Sequence, residues 1–203
     1  MRGIKNAYAW IVALCLSLGA QTAMAIEEPK FTLVSKSQNY EIRKYGDRLA
    51  IEAVQGDTEN AAFRKLFRYI SGANQAQGKI AMTAPVTQSQ KVDMTAPVTQ
   101  SRADGNQVMR FFLPQEFDRT TAPLPTDPSL RLVTVAGGYY AVRVYAGRST
   151  DANFVKNAKQ LMDRLAADGI KTISEPIKAT YNGPFTPFFL RRNEVMVEIK
   201  PTK

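Results

Sequence analysis

The sequence predicts an α+β fold: a distorted β-barrel made of two similar strand-helix-strand halves, with two helices packed on its outside. Each half of the chain contains one stretch with apolar residues at helical spacing, the first between residues 58 and 71 and the second between 150 and 167. Short segments rich in β-branched and aromatic residues precede and follow both stretches, as is typical of strands. Because this order occurs twice, we expect the two halves to resemble each other.

The first half begins with three predicted strands, Phe31–Lys36, Tyr40–Tyr45 and Leu49–Val54, with a turn signal at Gly46-Asp47. Asp57 or Thr58 can cap the helix that follows, and Gly72 is placed to end it in a left-handed conformation. Its apolar residues recur at steps of three and four: Ala62, Phe63, Leu66, Phe67 and Ile70. This spacing predicts an amphipathic helix that packs on the sheet.

A twelve-residue unit follows this helix and is repeated once. Lys79–Gln90 is followed directly by Lys91–Arg102, and both copies contain Met-Thr-Ala-Pro-Val-Thr-Gln-Ser. Two copies are too few for a solenoid. The β-branched residues indicate a strand in each copy, while Pro85 and Pro97 confine those strands to edges or bulges. We therefore expect a hairpin here, followed by a further strand at Val108–Leu113.

The second half repeats the order of the first. Strands are predicted at Leu130–Val135 and Tyr139–Tyr145, and Gly137-Gly138 between them predicts a hairpin. Ser149 is the expected N-cap of the second helix, which Asp168-Gly169 ends. One apolar stripe runs along that helix: Phe154, Ala158, Leu161, Met162 and Leu165. Two strands close the chain, Ile177–Tyr181 and Glu194–Ile199.

Residues 1–25 have the form of a secretory signal peptide. Arg2 and Lys5 precede an apolar run, Ala7–Leu18, and Ala23-Met24-Ala25 fits a signal peptidase site. The run is shorter than the roughly 20 residues that a spanning helix needs, so we expect cleavage and no transmembrane segment afterwards. The expected mature chain, residues 26–203, is a single periplasmic or secreted domain, which we expect to be a monomer.

The composition excludes several kinds of catalytic and metal site. The chain has no histidine, which excludes Ser-His-Asp and Cys-His catalysis and every His-ligated metal. The formal net charge of +9 favours anionic partners, but the Lys and Arg residues are dispersed, so we do not expect nucleic-acid binding. No carboxylate pair stands in an apolar setting that would raise one pKa for acid catalysis. We therefore expect a binding protein and not an enzyme.

Five strings of residues stand in one order along the chain: Ala62-Phe63-x-x-Leu66-x-x-Tyr69-Ile70-x-Gly72-x-Asn74, Lys79–Val86, Phe112-Leu113-Pro114, Leu124-Pro125-x-Asp127-Pro128 and Phe189–Val195. In order and spacing they resemble the SOUL haem-binding protein family, and the doubled Met-Thr-Ala-Pro-Val looks like bacterial, exported members. The resemblance implies a distorted β-barrel that binds haem or related tetrapyrroles in a hydrophobic pocket beside the first helix. It also implies a relation in fold to the multidrug-binding effector domains of some bacterial transcription activators.

A porphyrin is a large apolar disc with two carboxylates, so its site needs an apolar wall and cations at the rim. On the first helix Phe63, Phe67 and Ile70 can supply the wall, and Arg64 and Arg68, at i and i+4, can reach the propionates. The alternative is an ordinary amphipathic helix whose phenylalanines face the core and whose arginines face water.

The second predicted wall is the aromatic segment near the C-terminus, which the resemblance places close to the tetrapyrrole. It contributes Tyr181, Phe185 and Phe188, which cluster around Pro184 and Pro187. The alternative for this segment is a loop that pins its aromatic side chains into the end of the barrel.

Together these features predict a carrier or buffer that binds haem reversibly without a histidine ligand on the iron. The runner-up hypothesis is a binding module for other amphipathic small molecules, either lipids or lipophilic cations. A buried glutamate with no cation at the pocket mouth would favour cations, whereas two arginines at the rim would favour anions.

Overall fold

The computed structural model describes residues 27–54, 58–89, 108–183 and 185–201. The expected signal peptide, the second copy of the repeat and Pro184 therefore lie outside the described residues. In chain order the elements are β1 (Phe31–Lys36), β2 (Glu41–Tyr45), β3 (Arg48–Val54), α1 (Glu59–Ile70), β4 (Val86–Ser89), β5 (Val108–Phe112), β6 (Leu130–Val135), β7 (Gly138–Ala146), α2 (Asp151–Ala167), β8 (Ile177–Thr180), a 3₁₀ turn (Phe188–Leu190) and β9 (Arg192–Ile199).

The nine described strands form one curled antiparallel sheet in the order β1-β2-β7-β9-β8-β4-β5-β3-β6. Every strand predicted outside the repeat is present, with bounds that differ by at most two residues. The predicted α+β class, a distorted barrel with two helices on its outside, is confirmed.

The two halves exchange one strand each. β3-α1-β4-β5 and β7-α2-β8-β9 follow the same order in the chain and pair in the same way. The strand that precedes each unit in the chain pairs with the other unit: β2 lies beside β7, and β6 lies beside β3. The antiparallel pairing of β4 with β8 then joins the halves into one sheet.

The predicted hairpin at Gly137-Gly138 is wrong, because β6 and β7 are not neighbours in the sheet. Gly137 instead lies where the two connections between the halves cross. A Cβ atom on Gly137 would stand 2.5 Å from the carbonyl oxygen of Tyr45 and 2.9 Å from the Cα of Gly46. The glycine is needed for this close approach of two backbones and not for a turn.

The helix ends follow the predicted capping chemistry with one change. Thr58 caps α1, and its hydroxyl accepts a hydrogen bond from the Ala61 amide at 3.1 Å. α2 is capped by Thr150 and not by Ser149, because the Ser149 hydroxyl lies 3.0 Å from the Thr180 hydroxyl instead. Glycines with left-handed backbone follow both helices, as expected: Gly72 (φ 114°) and Gly169 (φ 70°).

Both helices lie on one face of the sheet, which we call the helical face. Residues that pair across neighbouring strands lie on the same face of a sheet. Phe111, under α1, pairs with Val86, and Val86 pairs with Thr180 in the half that bears α2, so the face under α1 continues into that half. The opposite, concave face is the inner face, and it has its own cluster of apolar side chains: Tyr45, Ala84, Val142, Ala179, Tyr181 and Met196. α1 packs over β3 and β5, and α2 over β7 and β9.

We expect Gly137→Ala to lower the free energy of unfolding by about 1–3 kcal/mol, because the added methyl group must displace backbone. Gly46→Ala is the matched control, since a Cβ at Gly46 meets nothing within 4 Å. Urea denaturation of both variants measures the effect. Equal stabilities would contradict the crossing that we describe.

Candidate functional site

Two stacked phenylalanines form an open apolar surface on one flank of α1. The rings of Phe63 and Phe67 are nearly parallel, at an interplanar angle of 13° with centroids 6.2 Å apart. Their exposed fractions are 38% and 49%. Phe63 also meets the ring of Phe111 on β5 edge-on, at 5.4 Å. The flank is therefore anchored at one end to the sheet and open to a flat apolar ligand at the other.

The strand register brings Thr180, the last residue of β8, to the same face as this flank. Phe111 on β5 pairs with Val86 on β4, and Val86 pairs with Thr180 on β8. Because neighbouring strands lie about 4.8 Å apart, Thr180 is about 10 Å from Phe111. Thr180 ends β8, and the aromatic segment begins at the next residue.

The strands β4 and β8 lie between the strands on which the two helices pack. α1 packs over β3 and β5 and α2 over β7 and β9, so that β4 and β8 form the middle of the helical face. We call the strip of this face between α1 and α2 the interhelical groove. Val86 and Thr180, both half-buried, lie on its floor beside the buried Gln88 and Lys178. Lys178 reaches Asp151 at the start of α2, at 3.1 Å.

The aromatic segment ends in a short exposed turn. Phe185, Phe188, Phe189 and Leu190, which we call the aromatic tip, are all exposed. The turn is held to the connection between β7 and α2, because the Gly147 amide donates a hydrogen bond to the Phe188 carbonyl at 3.1 Å. The predicted site residues Phe185 and Phe188 thus reach solvent and are not pinned into the barrel.

The two arginines predicted to meet propionates differ in their surroundings. Arg64 is exposed and has no ion-pair partner among the described residues. The Arg68 guanidinium lies 3.7 Å from the Asp127 carboxylate and lines a cavity of about 160 Å³ together with Tyr69 and Leu130. A pocket for a ligand of drug size measures roughly 300–1,000 Å³, so this cavity is too small for a tetrapyrrole. Arg64 is the predicted rim cation that is not already engaged.

Ile70 and Tyr181 are buried, unlike the other predicted site residues. Ile70 packs in the core under α1. Tyr181 lies on the inner face, where its hydroxyl donates a 2.6 Å hydrogen bond to Glu194. Burial, followed by the charge of Glu194, raises the pKa of Tyr181 well above its usual value. Both residues pack beneath the predicted walls, Ile70 in the core and Tyr181 on the inner face. Direct contact of either residue with a ligand stays a prediction.

A fully buried carboxylate on β9 is the main feature that the sequence did not reveal. Glu194 accepts hydrogen bonds from two guanidinium groups, that of Arg43 at 3.1 Å and that of Arg192 at 2.7 Å. The Arg192 guanidinium also lies 4.0 Å from the centre of the Tyr181 ring. The available signal was a charged residue inside an apolar strand, Glu194-Val-Met-Val. Because two cations already neutralise Glu194, it offers no free charge to a cationic ligand.

The described residues contain no group of three or more His, Cys, Asp and Glu side chains that could hold a metal ion. Nor does any helix among them have the length and apolar character needed to cross a membrane. Any tetrapyrrole held here would depend on apolar contact and on cations such as Arg64.

The chain is similar to known proteins along most of its length. The family described as SOUL heme-binding protein matches residues 26–198. Heme-binding protein 2 of Homo sapiens is 30% identical over 176 residues, which cover 81% of each chain. Heme-binding protein 1 of Xenopus tropicalis is 25% identical over 179 residues, covering 84% of this chain and 90% of the relative.

Solved structures show a similar fold at much lower identity. A structure described as a hydrolase from Listeria innocua has 9% identity and a TM-score of 0.53, covering 82% of this chain and 94% of its own. The EcmrR C-terminal domain has 11% identity and the same TM-score, covering 80% and 99%. At these identities the likeness concerns the fold alone.

We expect Glu194→Gln to lower the free energy of unfolding by about 2–3 kcal/mol, because it removes the buried carboxylate that Arg43 and Arg192 share and leaves each arginine with one carboxylate, Glu41 or Glu28. Glu52→Gln is the matched control. Glu52 also pairs with two arginines, Arg110 and Arg131, but their side chains are more exposed, so its loss should cost clearly less. Denaturant titration compares the two variants, and a larger loss for Glu52→Gln would refute this view of the inner face.

Proposed function

The chain belongs to the SOUL heme-binding protein family, and from this premise we propose that it binds haem and related tetrapyrroles reversibly in the interhelical groove. It acts as a monomeric carrier or buffer and not as an enzyme. Export of the protein to the periplasm or the medium is part of the proposal, on the basis of the signal-like residues 1–25.

The observation that carries the proposal is the stacked pair of Phe63 and Phe67 beside an unengaged Arg64. Half-exposed parallel rings offer an apolar surface that a porphyrin can cover, which removes the faces of both partners from water. Arg64 follows Phe63 directly and can donate to a propionate at the edge of the disc. The residues of the groove thus fit a flat, apolar, dianionic ligand.

The mode of binding follows from the residue types. Bound haem would supply an iron centre, but the chain offers it no imidazole, because it has no histidine. Apolar contact and propionate contacts then supply the affinity. Both depend on the organic ring and not on the metal, so we infer that the groove accepts metal-free porphyrins as well.

Other amphipathic anions, such as lipids, are the second candidate class, and the exposed apolar tip favours them. Lipophilic cations are a poorer match. The fully buried Glu194 is engaged by Arg43 and Arg192, and the free charge at the groove, on Arg64, is positive.

We expect Phe67→Ala to weaken hemin binding by about ten- to a hundredfold, because burying a large apolar side chain contributes about 1.5–3 kcal/mol. Arg64→Gln should weaken it only a few-fold, and more strongly at low salt, because its ion pair is exposed. Soret absorption and tyrosine fluorescence report binding. The control is Val155→Ala, which removes an exposed apolar side chain from α2; wild-type affinity in both α1 variants would refute the proposed site.

We expect hemin and metal-free protoporphyrin to bind with dissociation constants within about threefold of each other, because in the proposed mode no protein side chain ligates the iron. Parallel fluorescence titrations of the wild-type protein measure both constants. A preference for hemin of tenfold or more would indicate an iron ligand from the protein and would overturn the proposal that the ring and its propionates alone supply the affinity.

A further inference from the structure

The aromatic tip exposes four large apolar side chains that are close together in the chain. The exposed fractions are 98% for Phe185, 51% for Phe188, 63% for Phe189 and 65% for Leu190. Single exposed apolar residues are common on protein surfaces, but a contiguous group of this kind marks a site of interaction. The tetrapyrrole groove does not account for all of it, because Phe185 touches almost nothing.

The tip is held in this exposed shape by hydrogen bonds of its own backbone. The Leu190 amide donates to the Pro187 carbonyl at 2.9 Å, and the Arg191 side chain donates from Nε to the Thr186 carbonyl at 2.7 Å. The rings of Phe188 and Phe189 meet edge to face, with centroids 5.5 Å apart. The apolar side chains are therefore presented outward on a fixed turn, and little ordering is needed when they are buried.

Positive charge surrounds the tip without any negative charge in the same segment. Residues 176–193 contain Lys178, Arg191 and Arg192 but no Asp or Glu. The exposed Arg148, on the connection that holds the turn, places its guanidinium 5.6 Å from the centre of the Phe188 ring. Lys178 and Arg192 are paired with carboxylates, and the exposed Arg148 is the cation that stacks on the base of the tip.

We propose that the aromatic tip docks the protein on lipid bilayers that contain anionic lipids. The apolar side chains enter the boundary between headgroups and acyl chains, while the exposed Arg148 meets headgroup phosphates. A protruding apolar turn with a cationic base matches the layering of a bilayer surface, where an apolar region lies under a negatively charged one. Residues 26–203, which lack Arg2 and Lys5, have a formal net charge of +7, and this charge adds long-range attraction to such a surface.

The test is cosedimentation of the ligand-free protein, residues 26–203, with two kinds of vesicle. One is pure phosphatidylcholine, and the other contains about 30% phosphatidylglycerol, which makes its surface anionic. We expect association with the anionic vesicles that weakens as salt is raised. Phe185→Ser combined with Phe189→Ser should reduce the partition coefficient by about tenfold or more, since two large apolar side chains no longer enter the bilayer.

The matched control is Leu33→Ser combined with Leu124→Ser, which removes two other exposed apolar side chains, 50% and 49% exposed. This control should bind vesicles as the wild type does. Equal losses in both double variants, unchanged binding in the tip variant, or no vesicle binding by the wild type would each overturn the proposal. Because the vesicles carry no pigment, the result does not depend on tetrapyrrole binding, which hemin titration of the same variants measures separately.

Discussion

The antiparallel pairing of β4 with β8 is the constraint on which the rest of the structure depends. It joins two units of the same order into one sheet and fixes the register in which Val86 faces Thr180. Each helix packs mainly on the strands of its own half, and β4 and β8 at the joint lie between these strands on the helical face. The candidate groove is thus a consequence of how the halves are joined, and its floor is made of two four-residue strands.

Contacts on the inner face fix the end of β8, whose last residue lies on the floor of the groove on the other face. Thr180 points to the helical face and Tyr181, the next residue, to the inner face, as alternation along a strand requires. Tyr181 is bonded to Glu194, which holds Arg43 from β2 and Arg192 from β9. The start of the aromatic segment is therefore tied to three parts of the sheet, which allows a segment with exposed side chains to keep a defined shape.

Sequence patterns predicted the bounds of the helices and strands well, but they predicted poorly which strands lie next to each other in the sheet. Strand and helix bounds depend on local preferences and capping, which the chain carries residue by residue. The Gly137-Gly138 hairpin was wrong because glycine serves a tight turn and a close backbone approach equally well, and only the crossing of two distant connections decides between them. In the site, helical spacing put Phe63 and Phe67 on the side of the helix that packs on the sheet, and the structure leaves both partly exposed. The pairing of Arg68 with Asp127 depends on a contact between residues 59 positions apart, which no local pattern contains.

The groove and the tip address two parts of one physical problem. A tetrapyrrole is apolar enough to partition into bilayers, so a carrier has to take it from lipid and release it again. Under the proposal, binding through stacked rings and an exposed arginine would be undone without breaking a bond between the protein and iron. A tip that docks on lipid lies in the loop between β8 and β9, directly after the strand that floors the groove. Under the two proposals, docking would bring the groove close to the phase that holds the ligand, and the exchange would need no further element of the protein.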